Sequence, residues 1–232
     1  MSIGSQPSIS ARFSLLFRLG MALYGIILAA ASLWLLLAEL PRTSLRVLPA
    51  SREAAATAAA RRGDALWSAN VGQVRGELWA EAALTFADLA WAANTSTNLL
   101  DEAKTSATRA ARLSPTNSSV WLLLADLASR YRWERPKPIE AIKMAYYSGP
   151  HEDALIPLRL MMSARLDDAT DPDFERLFRS DVESVLTSRP DLRPAVISAY
   201  SRGTQQARRL IQDVANQIDK AFAQSLALGP GQ

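Results

Sequence analysis

The sequence predicts an all-α protein, with one N-terminal transmembrane helix followed by an antiparallel array of helical hairpins and capping helices. Three observations lead to this fold class. Residues 19–38 form an uncharged apolar run. The rest of the chain consists of amphipathic segments separated by short polar or proline-containing breaks. Alanine and leucine dominate and only 10 of the 232 residues are glycine, which favours helices over sheets.

The apolar run, LGMALYGIILAAASLWLLLA, lies between Arg18 and Glu39. A helix that rises about 1.5 Å per residue covers roughly 30 Å over this length, which matches the hydrocarbon thickness of a bilayer. The run is longer than the apolar region of a signal peptide, and it ends in bulky leucines where a cleavage site needs small residues. We therefore expect a retained transmembrane helix at 19–40, with lipid contacts along 19–38, preceded by a short N-terminal segment at 1–18.

Two small residues inside this span are spaced for helix packing. Gly25 and Ala29 lie four positions apart and therefore share one face of the helix. Such a small-xxx-small pair lets a second transmembrane helix approach closely, so we expect any contact within the bilayer to involve these two residues.

Arginines flank the span on both sides. Arg12 and Arg18 precede it, without any acidic residue among the first 18 positions, and Arg42, Arg46 and Arg52 follow it. Counted as Lys and Arg, the two sides are nearly equal. The short, wholly basic first flank favours a cytoplasmic N-terminus. The Ala/Arg-rich composition is typical of bacteria, so we expect a single-pass inner-membrane protein with a periplasmic helical domain, and a cytoplasmic domain remains the alternative.

The first helix of the predicted domain is located by its capping residues, and the second by its apolar periodicity. Ser51 is a suitable N-cap for the segment REAAATAAARRGDALWSAN, and Gly72 is suited to end it. The next helix spans GELWAEAALTFADLAWAA. Its apolar residues recur with a helical period on one face, at Leu78, Ala82, Phe86 and Leu89.

The later helices are separated by polar runs, prolines and a glycine. The breaks are NTSTN, SPTNSS, the RWERPKP loop with Pro136 and Pro138, the Gly149–Pro150 pair, and DDATDPD. A last helix is predicted over GTQQARRLIQDVANQIDKAFAQSLAL. The helical domain thus covers 41–228, and the GPGQ tail at 229–232 is predicted to be disordered.

Aromatic and alanine residues recur in successive predicted hairpins. Trp79 and Phe86 lie seven positions apart in one helix. The other members of the pattern are Trp121, Leu124, Ala125 and Ala128 in the next first helix, and Ala103, Ala107, Ala110, Pro115, Ala141 and Ala145 in the second helices. Over roughly residues 75–165 this resembles the tetratricopeptide (TPR) family, in which small residues let the two helices of a hairpin approach and an aromatic fills the space between hairpins. The resemblance implies a stack of hairpins, and an irregular α-helical bundle remains the alternative.

The resemblance also implies a groove for a protein partner, lined by the first helix of each hairpin. The residues at the groove-lining positions are Glu77, Ala80 and Leu84 in the first unit and Ser119, Leu122, Asp126 and Arg130 in the second. Outside the repeat pattern, Trp133 stands between arginines in the loop RYRWERPKP. An exposed aromatic in such a setting is typical of an interface anchor.

The residue types in the chain argue against a catalytic, metal-binding or cofactor-binding site. The chain has no cysteine and one histidine, His151, which excludes thiolate metal sites and any site that needs two histidines. Neither a phosphate-binding loop nor a nucleophile elbow occurs. We therefore expect neither a catalytic residue, nor a bound metal, nor a cofactor. The net charge of +3 is small and no dense basic stripe occurs, so we expect no nucleic-acid partner.

These features together predict a membrane-tethered adaptor or scaffold that binds protein partners in a bacterial envelope complex and is not an enzyme. Polysaccharide polymerisation or export, and envelope assembly, are the processes that the resemblance implies. The alternative is a small accessory subunit of a larger membrane complex, which it contacts mainly through its transmembrane helix.

Overall fold

A computed structural model describes residues 9–39, 54–92, 97–166 and 171–228, and every regular element in these ranges is a helix. The helices of the first part are α1 (Ile9–Glu39), α2 (Ala54–Val71), α3 (Gly76–Ala92), α4 (Thr97–Leu113), α5 (Ser118–Tyr131) and α6 (Pro138–Ser148). After a short 3₁₀ turn at Asp153–Leu155 come α7 (Ile156–Ser163), α8 (Pro172–Ser188), α9 (Arg193–Arg202), α10 (Gln205–Ile218) and α11 (Lys220–Leu228).

Helix α1 contains one stretch that is long and apolar enough to cross a membrane. This stretch, Phe17–Leu37, has a mean hydropathy of 2.1, and none of it is buried against the rest of the described chain. The helix already begins at Ile9, so residues 9–18 are helical and continuous with the apolar stretch. Residues 1–8 and 40 lie outside the described residues.

The helices from α2 to α6 surround a first hydrophobic core. Helix α3 packs against α2 and α4, and α5 packs against α6 and also contacts α3, α4 and α7. Trp79 and Phe86 of α3 are buried in this core, as the sequence pattern predicts. The second helices contribute small buried residues, namely Ala103, Ala107 and Ala110 in α4 and Ala141 and Ala145 in α6. Because alanine projects only a methyl group, these helices lie close to their neighbours.

A second core forms between α7, α8, α9, α10 and α11. Helix α10 has the most marked amphipathic pattern, with Leu210, Ile211, Val214 and Ala215 turned inward. Pro157 lies in the first turn of α7, where its missing N–H costs no hydrogen bond.

The two cores meet along α8. Phe174 belongs to the first core and Phe178, one turn later, to the second, and their rings stack with centroids 6.4 Å apart. Beside them the fully buried Arg159 donates to both carboxylate oxygens of Asp181 and to the carbonyl of Gly149. Its guanidinium also lies 4.9 Å from the ring centroid of Tyr146.

The C-terminal helix predicted over 203–228 is broken in the structure. It divides at Asp219, whose carboxylate accepts a hydrogen bond of 3.0 Å from the N–H of Phe222 and so caps α11. Arg193 of α9 pairs with the same carboxylate at 2.9 Å. The helical period of the sequence continues through this position, but the cap formed by Asp219 and its ion pair with Arg193 end α10 there. The tail at 229–232 and the proposed cap Ser51 lie outside the described residues.

Candidate functional site

A cavity of about 510 Å³ lies between α3, the start of α5, and the segment that leads into α7. We call it the α3–α5–α7 cavity. Its lining residues are Glu77, Ala80, Glu81 and Leu84 of α3, Asn117, Ser119, Val120 and Leu123 at the start of α5, and Glu152, Asp153, Ala154, Leu155 and Leu158 before and within α7.

Helical periodicity orients side chains of α3 toward the cavity, and a helix cap places the start of α5 at its edge. Glu77, Glu81 and Leu84 lie three or four positions apart on α3 and therefore share a face. Asn117 occupies the N-cap of α5, and its side chain accepts a hydrogen bond of 3.1 Å from the backbone N–H of Ser119. The SPTNSS break therefore starts α5 at the edge of the cavity.

The third wall depends on a close approach between the end of α6 and the start of α5. A methyl group on Gly149 would overlap the hydroxyl of Ser118, so only glycine fits this turn without a shift. The hydroxyl of Ser118 in turn donates a hydrogen bond of 2.5 Å to the carboxylate of Glu152. This bond ties the segment before α7 to the N-terminus of α5.

The floor of the cavity is apolar. Val120, Leu123 and Leu155 are buried in the first core but still border the space. Leu84 and Leu158 are half-buried and complete the apolar surface. A side chain of matching shape and polarity would lose water-exposed apolar area here, which is the main source of affinity in such sites.

All charged residues that line the cavity are acidic, and none of its described lining residues is Lys or Arg. Cations among the described residues approach this edge from outside: Arg75 approaches Glu77 to 3.8 Å, and Arg189 pairs with Asp153. Glu77 and Asp153 also lie in first helical turns, where the helix dipole favours negative charge.

A second, smaller hollow of about 220 Å³ continues along α5 toward the end of α7. Asp126, Arg130 and Arg165 give it both signs of charge, and Arg130 contacts Asp126 at 2.7 Å. Burial raises the pKa of the neighbouring Tyr131, and the positive charge of Arg130 opposes this rise while the negative charges of Asp126 and Asp88 add to it.

The structure brings most, but not all, of the predicted groove residues to these two hollows. Four of them, Glu77, Ala80, Leu84 and Ser119, line the α3–α5–α7 cavity, and Asp126 and Arg130 line the second hollow. Leu122 lines neither, because it is fully buried in the first core. The rotation of α5 about its axis turns the neighbouring residue, Leu123, toward the cavity instead.

The other predicted contact residues lie apart from the cavity. Trp133 is half-buried against the first core, and the Lys104 ammonium lies 5.1 Å from its ring centroid. It is therefore packed rather than projecting. Gly25 and Ala29 are exposed on α1, and in the described part of the chain no atom beyond the local helix backbone lies within 4 Å of the position of a Cβ on Gly25.

Sequence reasoning missed the wall formed by residues 152–158. The sequence left open whether Pro157 kinks a helix over HEDALIPLRLMMSARL or lies in its first turn, and in the structure it lies in the first turn of α7, after a turn and a 3₁₀ segment. The Gly149–Pro150 pair and the proline at 157 were the available signals of this interruption. They do not by themselves say that the segment folds against α3 and α5.

Among the described residues, no group of three His, Cys, Asp or Glu side chains is placed to hold a metal ion. His151 is exposed beside the turn that follows α6. The arrangement offers an apolar surface with acidic edges, which suits recognition of a bound group.

Comparisons of this chain with protein-family models, with curated proteins and with solved structures find no match.

Proposed function

We propose that this protein is a membrane-tethered adaptor, in which α1 spans the bilayer and the helical domain binds a partner protein in the α3–α5–α7 cavity. The proposal assigns the protein no reaction of its own, no bound cofactor and no nucleic-acid partner. The observation that carries it is the cavity itself: three helices that are not consecutive, α3, α5 and α7, contribute to one concave apolar surface.

Two equivalent hydrogen bonds support a hairpin array that resembles TPR proteins. Trp79 is the fourth residue of α3, and its indole N–H donates to the carbonyl of Gln73 at 3.2 Å. Trp121 is the fourth residue of α5, and its indole N–H donates to the carbonyl of Pro115 at 2.7 Å. Each acceptor lies six residues before its tryptophan. The pairs α3/α4 and α5/α6 then correspond to two units of the array.

In this proposal, α1 holds the binding surface close to partners in the same membrane. A binding surface held at the bilayer meets membrane-bound partners at a high effective concentration, so modest intrinsic affinity suffices. We place the protein in a bacterial inner membrane, with the helical domain in the periplasm. Envelope assembly and polysaccharide polymerisation or export are the processes in which such an adaptor would serve.

A second candidate role is an accessory subunit that contacts a larger membrane complex through α1. The observation that favours it is that none of Phe17–Leu37 is buried in the described structure. The small residues Gly25 and Ala29 would then face the neighbouring helix.

Cross-linking from single positions in living cells separates the two roles. A photoreactive residue at Ser119, which is exposed in the cavity wall, is compared with one at Glu102, which is exposed on α4. The adaptor should give a partner adduct from 119 but not from 102, and this adduct should survive replacement of residues 19–38 by an unrelated span. An accessory subunit should instead cross-link from position 25 and lose its partner when the span is replaced.

The absence of cysteine makes the orientation simple to test. A single cysteine at Asp213, exposed on α10, should react with a membrane-impermeant maleimide in intact spheroplasts. Reaction only after the cells are lysed would place the domain in the cytoplasm and contradict the proposed orientation.

A further inference from the structure

We propose that the partner segment in the α3–α5–α7 cavity presents a bulky apolar side chain next to Lys or Arg. This inference rests on the proposed function and specifies the chemistry of its partner. It is carried by the apolar floor together with the sign of the lining charges.

The floor selects for an apolar group. Leu84, Leu123 and Leu158 face the space from three separate helices, so an inserted side chain contacts apolar surface on several sides at once. A volume of about 510 Å³ lies within the range of cavities that bury most of a bound group. A polar side chain there would lose its water without gaining hydrogen-bond partners from the leucines.

The edge selects for positive charge beside that group. Glu81 and Glu152 line the cavity from opposite walls, together with Glu77 and Asp153. A carboxylate or phosphate in the same place would face four acidic side chains and no cation among the described lining residues. A lysine or arginine in the partner would instead be attracted by these carboxylates, although Arg75 and Arg189 already offset part of the charge of Glu77 and Asp153.

The N-terminus of α5, which is the natural place for an anion, is already occupied by the chain itself. The N–H of Ser119 donates to the side chain of Asn117. The hydroxyl of Ser118 donates to Glu152. An incoming anion would therefore have to displace these internal acceptors, whereas a cation leaves them in place.

Defined peptides test this preference on the full chain in nanodiscs of zwitterionic lipid. The probes are fluorescent amphipathic peptides of about twelve residues with one arrangement of apolar and polar positions. The first carries Leu and Lys, the second Leu and Glu, the third Leu and Ser, and the fourth Ser and Lys. Binding is followed by fluorescence anisotropy, and the signal of empty nanodiscs is subtracted.

We expect the Leu/Lys peptide to bind at least about tenfold more tightly than each of the other three. Its affinity should fall when salt rises from about 0.1 M to about 1 M, because the screening length shrinks from about 10 Å to about 3 Å. Equal or tighter binding of the Leu/Glu peptide would overturn the assigned charge preference. Equal binding of the Ser/Lys peptide would overturn the role of the apolar floor.

Two matched variants locate the binding in the cavity. Ala154 lines the cavity but is exposed, so Ala154→Trp should block the space without disturbing the core and abolish peptide binding. Glu81→Gln should weaken the Leu/Lys peptide, whereas Glu102→Gln on the exposed face of α4 should not. The unfolding midpoint of each variant checks that the fold is kept.

Failure of this inference can be told apart from failure of the adaptor function. If a different peptide binds and Ala154→Trp abolishes that binding, the partner chemistry is wrong but the cavity remains a binding site. If the Leu/Lys peptide binds equally to the Ala154→Trp variant, it binds elsewhere and the inference is overturned. If no peptide binds while the Ser119 adduct persists in cells, the adaptor function stands and the assigned partner chemistry is rejected.

Discussion

Arg159 of α7 and Asp181 of α8 form a pair of hydrogen bonds, each 2.9 Å long, where the two hydrophobic cores meet. Arg159 is fully buried and Asp181 is 6% exposed. Burial raises the pKa of Asp181, and the hydrogen bonds and charge of Arg159 oppose that rise. Burial likewise raises the pKa of the neighbouring Tyr146 well above its ordinary value, and its hydroxyl lies 3.2 Å from that of Ser163.

Removal of one partner of this buried pair should destabilise the protein strongly. Asp181→Ala leaves a positive charge buried without its counter-charge, and we expect a loss of about 3–5 kcal/mol in the free energy of unfolding. Urea unfolding of the full chain in detergent micelles, followed by circular dichroism, measures this loss. The double variant Arg159→Met/Asp181→Leu should lose less than the single one, because no charge is left unpaired.

An exposed pair provides the control for that experiment. Glu175 and Arg179 lie four positions apart on α8, with 3.3 Å between their charged atoms, and both are partly open to water. Glu175→Gln should therefore change the unfolding free energy by less than about 1 kcal/mol. A comparable loss in both variants would show that burial is not the source of the effect.

A methyl group at residue 76 should destabilise the contact between α3 and α4. A Cβ on Gly76 would overlap the hydroxyl of Ser114 and lie 2.9 Å from the carbonyl of Ala110. We expect Gly76→Ala to cost about 1–3 kcal/mol, and Ser114→Gly in the same chain to restore part of this loss. Gly63→Ala is the matched control, because among the described residues nothing beyond the local helix backbone lies within 4 Å of its Cβ position, and it should stabilise α2 by about 0.5–1 kcal/mol.

Stability should fall in acid through Asp171. Hydrogen bonds from Lys143 and from the backbone N–H of Phe174 hold the pKa of Asp171 below its ordinary value. Because the unfolded chain has the ordinary pKa, this stabilisation is complete above about pH 4 and is lost as the pH falls through the lower pKa of the folded state. Asp171→Asn and Lys143→Met should each flatten the decline of unfolding free energy below about pH 4. An unchanged pH profile in both variants would contradict the assignment.

Two neighbouring residues of α5 should separate stability from binding. Leu122 is fully buried, so Leu122→Ala should cost about 2–5 kcal/mol of unfolding free energy. Ser119 is exposed in the cavity wall, so a large residue in its place, Ser119→Arg, should weaken the Leu/Lys peptide while leaving the unfolding free energy within about 0.5 kcal/mol. The same two assays, unfolding and anisotropy, are run on both variants, and a stability loss at 119 would refute this division.

A glycine should be tolerated better than arginine at the end of α5. Arg132 has a φ of 50° and ψ of 49°, the left-handed conformation, and its N–H and that of Trp133 both donate to the carbonyl of Ala128. This conformation disfavours residues with a Cβ, so Arg132→Gly should raise the unfolding free energy by up to about 1 kcal/mol. Arg132→Val should lower it, because a branched Cβ crowds the same backbone.

Local patterns located most of the helices, but not all of their boundaries and not all of the site. The apolar period of α3 gave Leu78, Ala82, Phe86 and Leu89 as core residues; the first three are buried, and Leu89 is half-buried. The positions taken from the resemblance to TPR proteins included Glu77 and Ser119, which both line the cavity, yet a shift of one residue in the rotation of α5 buries Leu122. That rotation is set by packing against distant helices, which sequence spacing does not encode.

The remaining differences also arise from contacts between distant parts of the chain. Asp219 ends α10 because it caps α11 and pairs with Arg193, 26 residues earlier. Glu152 joins the cavity because the hydroxyl of Ser118, 34 residues earlier, holds it there. A periodic pattern read along the chain contains neither of these pairings.

The division into two cores determines which helices would carry a mechanical load. If α1 spans the bilayer as proposed, the next helix in the chain is α2, which packs against α3, and α3 is itself one wall of the cavity. A pull between the bilayer and a bound partner would therefore load α2 and α3 directly. Helices α9 to α11, which belong to the second core, lie outside this line of force and would stay folded while the first core stretched.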